Sequence, residues 1–237
     1  MFSPTSLTGV CHQQWLPEQK QNLIGLTIVQ DDLPTIKCIA EAGMIGKIGL
    51  NSAGVGVCFN AIRARGMDDS RMPVHLGLRV VLESTSARDA VARLEAVGMA
   101  SSAHMLIGDA SFATGLEFTS STFAHVPVDA RGRVIHANHL LLPHPGGGYE
   151  PVWLEDSPVR VDVMEKNTAA LTGPLSADAF SRQFEDETNA PGAICRTAQG
   201  KVDSETLFNI VMDLRAKTAV VKMGRPVDVE EVIELIF

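Results

Sequence analysis

The chain has 237 residues, of which 45% are hydrophobic and 20% charged, and its formal net charge is −8. That length can bury a sizeable core, and the composition is ordinary for a globular protein. An acidic balance without a block of like charge argues against a nucleic-acid-binding surface, and no apolar run approaches the roughly 20 residues of a membrane span. Neither nucleic acid nor a membrane is therefore an expected partner.

The N-terminus, MFSPTSLTGVCHQQW, lacks the basic region and apolar core of a secretory signal. Residues 22–30 and 35–42 read as antiparallel strands around a turn at Asp31-Asp32-Leu33-Pro34. A glycine-rich hairpin follows over Ala42–Asn60, turning at Asn51-Ser52-Ala53-Gly54. Glycine weakens a strand unless something must come close, so Gly43, Gly46, Gly49, Gly54 and Gly56 predict a sheet against which another layer packs tightly. Met72–Glu83 has apolar residues at helical spacing, and Ser86 with Asp89 three residues on predicts a capped amphipathic helix ending at Gly98. Strands are expected again over His104–Gly108, Ala113–Thr119, Ser121–Val128 and Arg133–Leu142, then a loop over Pro143–Gly148. Helices are expected from about Val159 to Thr172, broken by Gly173-Pro174, and from a Ser176 cap to about Asp186; two last strands, Thr206–Leu214 and Lys217–Met223, pair across Arg215-Ala216.

Consecutive hairpins and paired helices predict an α+β fold: a four-layer αββα sandwich of two antiparallel sheets covered by helices, as one domain over residues 1–237. Cys11, Cys38, Cys58 and Cys195 are few and scattered, which favours reduced thiols in an intracellular protein. Cys38 and Cys58 sit in apolar strand patterns as small core residues. The C-terminal Glu234-Leu-Ile-Phe237 is not a peroxisomal tripeptide, so the cytoplasm is the expected compartment. No metal site is expected: His136 and His139 would face opposite sides of the strand predicted there, and His144 adds no defined ligand spacing.

An ordered series of segments carries a resemblance. It comprises Asn22-Leu-Ile, Leu33-Pro-Thr-Ile-Lys37, Gly43–Asn60, Leu82-Glu-Ser-Thr-Ser86, Gly115-Leu-Glu-Phe118, His136-Ala-Asn-His139, Ile194-Cys-Arg196, Thr206-Leu-Phe-Asn-Ile210 and Gly224-Arg-Pro226. In this order, from about Trp15 to the C-terminus, they resemble the acyl-coenzyme A:6-aminopenicillanic acid acyltransferases, a family of the N-terminal-nucleophile hydrolase superfamily. The resemblance implies the αββα sandwich and an acyltransferase of specialised metabolism. Such an enzyme moves an acyl group from a coenzyme A thioester, or from an amide, onto a small-molecule amine. It holds no bound cofactor; the thioester is a co-substrate. In the family an internal cysteine, freed as a new N-terminus by self-cleavage, attacks the acyl donor, with its own α-amino group available as base.

Carried over residue by residue, Asn138 matches the family asparagine that helps hold the oxyanion, and Asn60 is a second candidate donor. Arg196 matches an arginine near the acceptor site and could pair with a substrate carboxylate. Thr119 stands where a serine would follow Leu-Glu-Phe, which keeps a hydroxyl at a substrate-binding position. The chain also departs from the pattern. The family's Gly-Gln-Asn-Trp-Asp element is represented by Gln13-Gln14-Trp15-Leu16, with Leu16 in place of the aspartate, and Ala193 replaces a serine. The nucleophile would lie further upstream of that element than the chain extends. Cys11, four residues before Trp15, is the substitute on offer. A separate or lost N-terminal segment would otherwise have to supply it. The alternatives are a non-catalytic relative that binds a metabolite or partner, and an amide hydrolase in which water replaces the amine.

Overall fold

The structure, a computed structural model, describes residues 2–3, 8–146, 149–151, 154–169, 171 and 176–237. One antiparallel sheet has five strands in the order β1-β2-β10-β11-β12: β1 (Phe2–Ser3), β2 (Thr8–Trp15), β10 (Glu205–Asp213), β11 (Thr218–Arg225) and β12 (Asp228–Ile236). The other is a seven-stranded meander in sequence order: β3 (Leu23–Ile28), β4 (Ile36–Glu41), β5 (Ile48–Asn51), β6 (Gly56–Ala61), β7 (Ala103–Gly108), β8 (Ala113–Phe118) and β9 (Phe123–Val126).

Alternation decides what each sheet face buries. Ile39, Leu50, Cys58 and Leu106 of the larger sheet meet Phe208, Ile210, Met212 and Val221 of the smaller one, forming the central core. Residues of opposite parity (Val57, Met105, Ile107, Leu116) pack under α1 (Val74–Glu83) and α2 (Ala87–Val97). Helix α1 supplies Val74, Leu78, Val81 and Leu82, and α2 supplies Ala90, Val91 and Leu94, each set on one helical stripe. On the far side, α3 (Asp156–Ala169) and α4 (Ala177–Arg182) form an outer cluster through Val163, Met164 and Phe180, which includes Val211 of β10. The layers are therefore αββα, as the element order implied.

The glycine reading of the hairpin holds in part. A Cβ on Gly56 would stand 2.5 Å from Leu214, just after β10 in the other layer, and one on Gly54 would stand 2.8 Å from the Leu214 carbonyl oxygen. One on Gly49 would instead stand 2.3 Å from the Lys37 carbonyl oxygen of its own sheet, and one on Gly43 would meet nothing within 4 Å. At the turn, Asn51 accepts from the Ala53 and Val55 N–H groups and donates to the Leu82 and Ser84 carbonyls, so its buried amide ties the hairpin to the end of α1.

Several boundaries differ from expectation. Residues 133–142 are not a strand. Their N–H groups go instead to side chains: Asn138 to Ser157, Leu140 to Glu150, and Leu141 and Leu142 to Glu117. Residues 42–47 lie outside the hairpin strands, α3 starts earlier than expected, at Asp156, and α4 ends at Arg182. Strand β12 and the β2 strand through His12–Trp15 were not anticipated. The break expected at Gly173-Pro174 lies outside the described residues.

Candidate functional site

A cavity of about 830 Å³ opens between the sheets. Its walls come from β2 (Gln13, Gln14, Trp15), β6 (Asn60), β7 (His104), the irregular segment Val134–Asn138, the start of α3, and residues 194–204. Of the expected site residues, Asn60, Asn138 and Arg196 line it together, as does Leu16. Thr119 does not. It follows the last residue of β8 with its hydroxyl turned to Ser121 and Thr122, where it closes the turn into β9. Cys11 lies on β2 opposite Ile210, with its side chain outside the described residues. Among the described cysteines Cys58 lines the cavity, while Cys195 is buried next to Arg196.

Asn138 sits at the centre of a charged network that the sequence did not announce. Its Oδ1 accepts from the Arg160 guanidinium at 2.8 Å, and its Nδ2 donates to the Ala61 carbonyl at 3.0 Å. A side-chain amide has two N–H groups, so this arrangement fixes the plane and leaves one N–H to offer a ligand. Arg160 is held by Asp156 at 2.7 Å and by Gln14 at 3.2 Å, and Asp156 also accepts from Arg196. Two buried guanidinium groups thus share one carboxylate. Burial pushes the Asp156 carboxyl up, but the Arg196 hydrogen bond and the Arg160 and Arg196 charges outweigh it and hold it below the usual value. Burial pushes Arg160 down to about 10 against the pull of Asp156, so it stays cationic at neutral pH. Arg196 is 1% exposed, and its Nε has no hydrogen-bond partner among the described residues. It is neither a surface residue nor fully satisfied.

Asn60 belongs to a second network, built by strand register. Asn60 pairs with His104 across β6–β7, and His104 pairs with Glu117 across β7–β8, so the three stand in a row. His104 Nδ1 lies 2.9 Å from Asn60 Oδ1. Its ring stacks on His136 with centroids 3.6 Å apart and planes 7° from parallel. His136 Nε2 lies 2.7 Å from Glu117, which is fully buried. Burial raises the Glu117 carboxyl, but hydrogen bonds from His136, the Leu141 N–H and His144 together bring it below the usual value. His136 and His144 therefore converge on a carboxylate, while His139 turns to Ser157. Among the described residues no three His, Cys, Asp or Glu side chains are placed to hold a metal ion.

Arg160, Asp156, His104 and Glu117 were not among the candidate site residues read from the sequence. Asp156 and Arg160 are spaced i, i+4 on α3, which reads as an ordinary solvated pair. Glu117 left a clearer signal, being one carboxylate inside the apolar run Ala113–Phe118.

Comparisons with known proteins bear on the family and the fold. The family profile described as "Acyl-coenzyme A:6-aminopenicillanic acid acyl-transferase" matches residues 13–228. The chain is 44% identical over 220 residues to the acyl-coenzyme A:6-aminopenicillanic-acid-acyltransferase 40 kDa form of Emericella nidulans; the match covers 92% of this chain and 61% of that protein. Among solved structures, penicillin V acylase from Agrobacterium tumefaciens superposes with a TM-score of 0.65 at 13% identity, covering 98% of this chain and 83% of the other. The Caenorhabditis elegans orthologue of N-acylethanolamine-hydrolyzing acid amidase gives 0.62 at 11% identity, with 87% of each chain covered. At these identities the structural likeness bears on the fold alone.

Proposed function

Because the chain belongs to the acyl-coenzyme A:6-aminopenicillanic acid acyltransferase family, we propose that its cavity is an acyl-transfer site of specialised metabolism. It would accept an acyl group from a coenzyme A thioester or an amide and pass it to a small-molecule amine. The observation that carries the reading is Asn138: an amide on the cavity wall, held through Arg160 and the Ala61 carbonyl, with one N–H left for a developing oxyanion. A donor fixed before the reaction costs no reorganisation when charge develops, and one such donor is worth roughly 100- to 1,000-fold in rate. Asn60 is the proposed second donor. Arg196, buried and with Nε unpartnered, is the proposed partner for a carboxylate on the acceptor amine.

The chain spans 61% of the length of its Emericella relative. A second segment, corresponding to the rest of that length, is the proposed source of the attacking thiol; Cys11 is the candidate within the chain. Leu16 on the cavity wall, where the family pattern has an aspartate, favours a second reading: a relative that binds a metabolite without turning it over. Intact-protein mass spectrometry after incubation with a panel of acyl-coenzyme A thioesters, on protein expressed from the complete transcript, separates the two. A covalent acyl adduct mapped by digestion to one residue supports acyl transfer and names the nucleophile. No adduct and no self-cleavage in folded protein supports the binding reading.

A further inference from the structure

We propose that His104 is a positioning residue whose tautomer decides what Asn60 presents to the cavity, and that the Glu117–His136 pair holds the His104 ring in place. The inference rests on the acyl-transfer reading for its catalytic consequence, but not for its geometry.

Glu117 comes first. Each of its oxygens accepts one backbone N–H, from Leu141 at 2.6 Å and from Leu142 at 3.1 Å, and each also faces one ring nitrogen, His136 Nε2 at 2.7 Å and His144 Nε2 at 3.2 Å. Two backbone donors, one on each oxygen, favour the ionised carboxylate, which can accept from all four. His136 follows from it. Its Nε2 faces that carboxylate, and its Nδ1 faces the Ala137 carbonyl at 2.8 Å. The two contacts, one at each ring nitrogen, pin the plane of the ring.

His104 lies flat on this ring and shares its burial. A cationic ring here would be out of water with a partner for one of its two N–H groups, so His104 is neutral. Burial and then the His136 charge hold its ring well below the ordinary histidine value. A neutral imidazole has one N–H, and its position matters here. With the hydrogen on Nδ1, His104 donates to Asn60 Oδ1, and the two N–H groups of Asn60 are what the side chain offers the cavity. With the hydrogen on Nε2, Asn60 would have to turn its amide over to satisfy a bare Nδ1, and its oxygen would face the cavity instead. An oxygen there would repel an oxyanion. The Nε2 end has no hydrogen-bond partner among the described residues and abuts Gly115, where a Cβ would come within 2.6 Å. An unpaired N–H is the rarer and costlier buried orphan, which favours the Nδ1–H form. Gly115 is the residue that leaves room for the ring.

Two measurements on protein expressed from the complete transcript test this. The first is a long-range proton–nitrogen NMR correlation of the histidine rings at pH 7. It should show His104 with hydrogen on Nδ1 and a bare Nε2. A His104 ring protonated on Nε2 would overturn the proposal whether or not the protein turns anything over. The second compares His104→Leu with His104→Asn, whose Nδ2–H can stand where Nδ1–H stood. The Leu variant should lose about 10- to 100-fold in kcat with KM changed by less than about threefold, as expected for a misplaced catalytic amide. The Asn variant should recover most of that loss. Equal kcat in the two variants, with both shown folded by circular dichroism, would leave His104 a structural residue only. Turnover by the wild type that is insensitive to Asn138→Ala would instead undo the acyl-transfer reading, while the NMR result stands by itself.

Discussion

Replacing Asp156 with alanine probes the charged network most severely. In the native protein one carboxylate oxygen accepts from Arg160 at 2.7 Å and also from Arg196, and the three side chains are only 15%, 9% and 2% exposed in the order Asp156, Arg160, Arg196. The substitution leaves two guanidinium groups facing each other out of water with no counter-charge. Breaking a buried pair by removing one partner typically costs about 3–5 kcal/mol, several times the worth of an exposed pair. With a urea m-value of about 3 kcal/mol/M, that loss lowers the unfolding midpoint by roughly 1–1.7 M. Urea titration followed by circular dichroism reads it directly. The pH dependence carries the same sign. Asp156 has its folded pKa below its unfolded value, so its stabilisation is complete above about pH 3.9 and is lost as pH falls through the folded pKa. That part of the acid limb should vanish in the variant. A loss below about 1 kcal/mol at unchanged m would refute the claim that this network is buried and mutually dependent.

Other consequences are equally direct. Gly49→Ala should cost more than Gly56→Ala: its Cβ meets the Lys37 backbone, which cannot move alone, whereas that of Gly56 meets the tip of Leu214. Differences of roughly 1–3 kcal/mol are expected by thermal or urea unfolding, and equal values would refute the packing argument. Glu117→Gln puts an amide N–H against a backbone donor and should destabilise by about 3–5 kcal/mol. A near-neutral result would contradict the ionised carboxylate. Because the folded pKa of His104 is depressed, stability should begin to fall as pH drops below about 6.5, a slope that His104→Asn should reduce. Ser86→Ala removes the acceptor for the Asp89 N–H at the start of α2 and should cost about 1 kcal/mol.

What could be read in advance follows from where the information lay. The Ser86 cap, the turn at Asn51–Gly54 and the stripe of α1 are local patterns, and local patterns predicted local structure. Residues 133–142 misled because their apolar run suits a strand. Only the fold reveals that Glu117, Glu150 and Ser157 take the N–H groups a neighbouring strand would have used. Strand β2 was missed because His12-Gln13-Gln14 is polar, although Gln13 and Gln14 face the cavity rather than an apolar core. Strand β12 was missed because its residues are mostly exposed and four of the nine are acidic, so no buried face marked it. Asn60, Asn138 and Arg196 were found through a family pattern. The partners that orient them, His104, Arg160 and Asp156, come from other strands and helices, and their spacing in the chain says nothing of their meeting.

The most direct test of the proposed acyl-transfer site is the amine-dependent release of coenzyme A from an acyl-coenzyme A thioester, with 6-aminopenicillanic acid as acceptor. It compares wild type and Asn138→Ala made from the complete transcript. The oriented amide predicts that kcat falls by about 100-fold or more in the variant while KM moves little. Equal rates for the two proteins, or no turnover by folded wild type with any thioester in the panel, would contradict it.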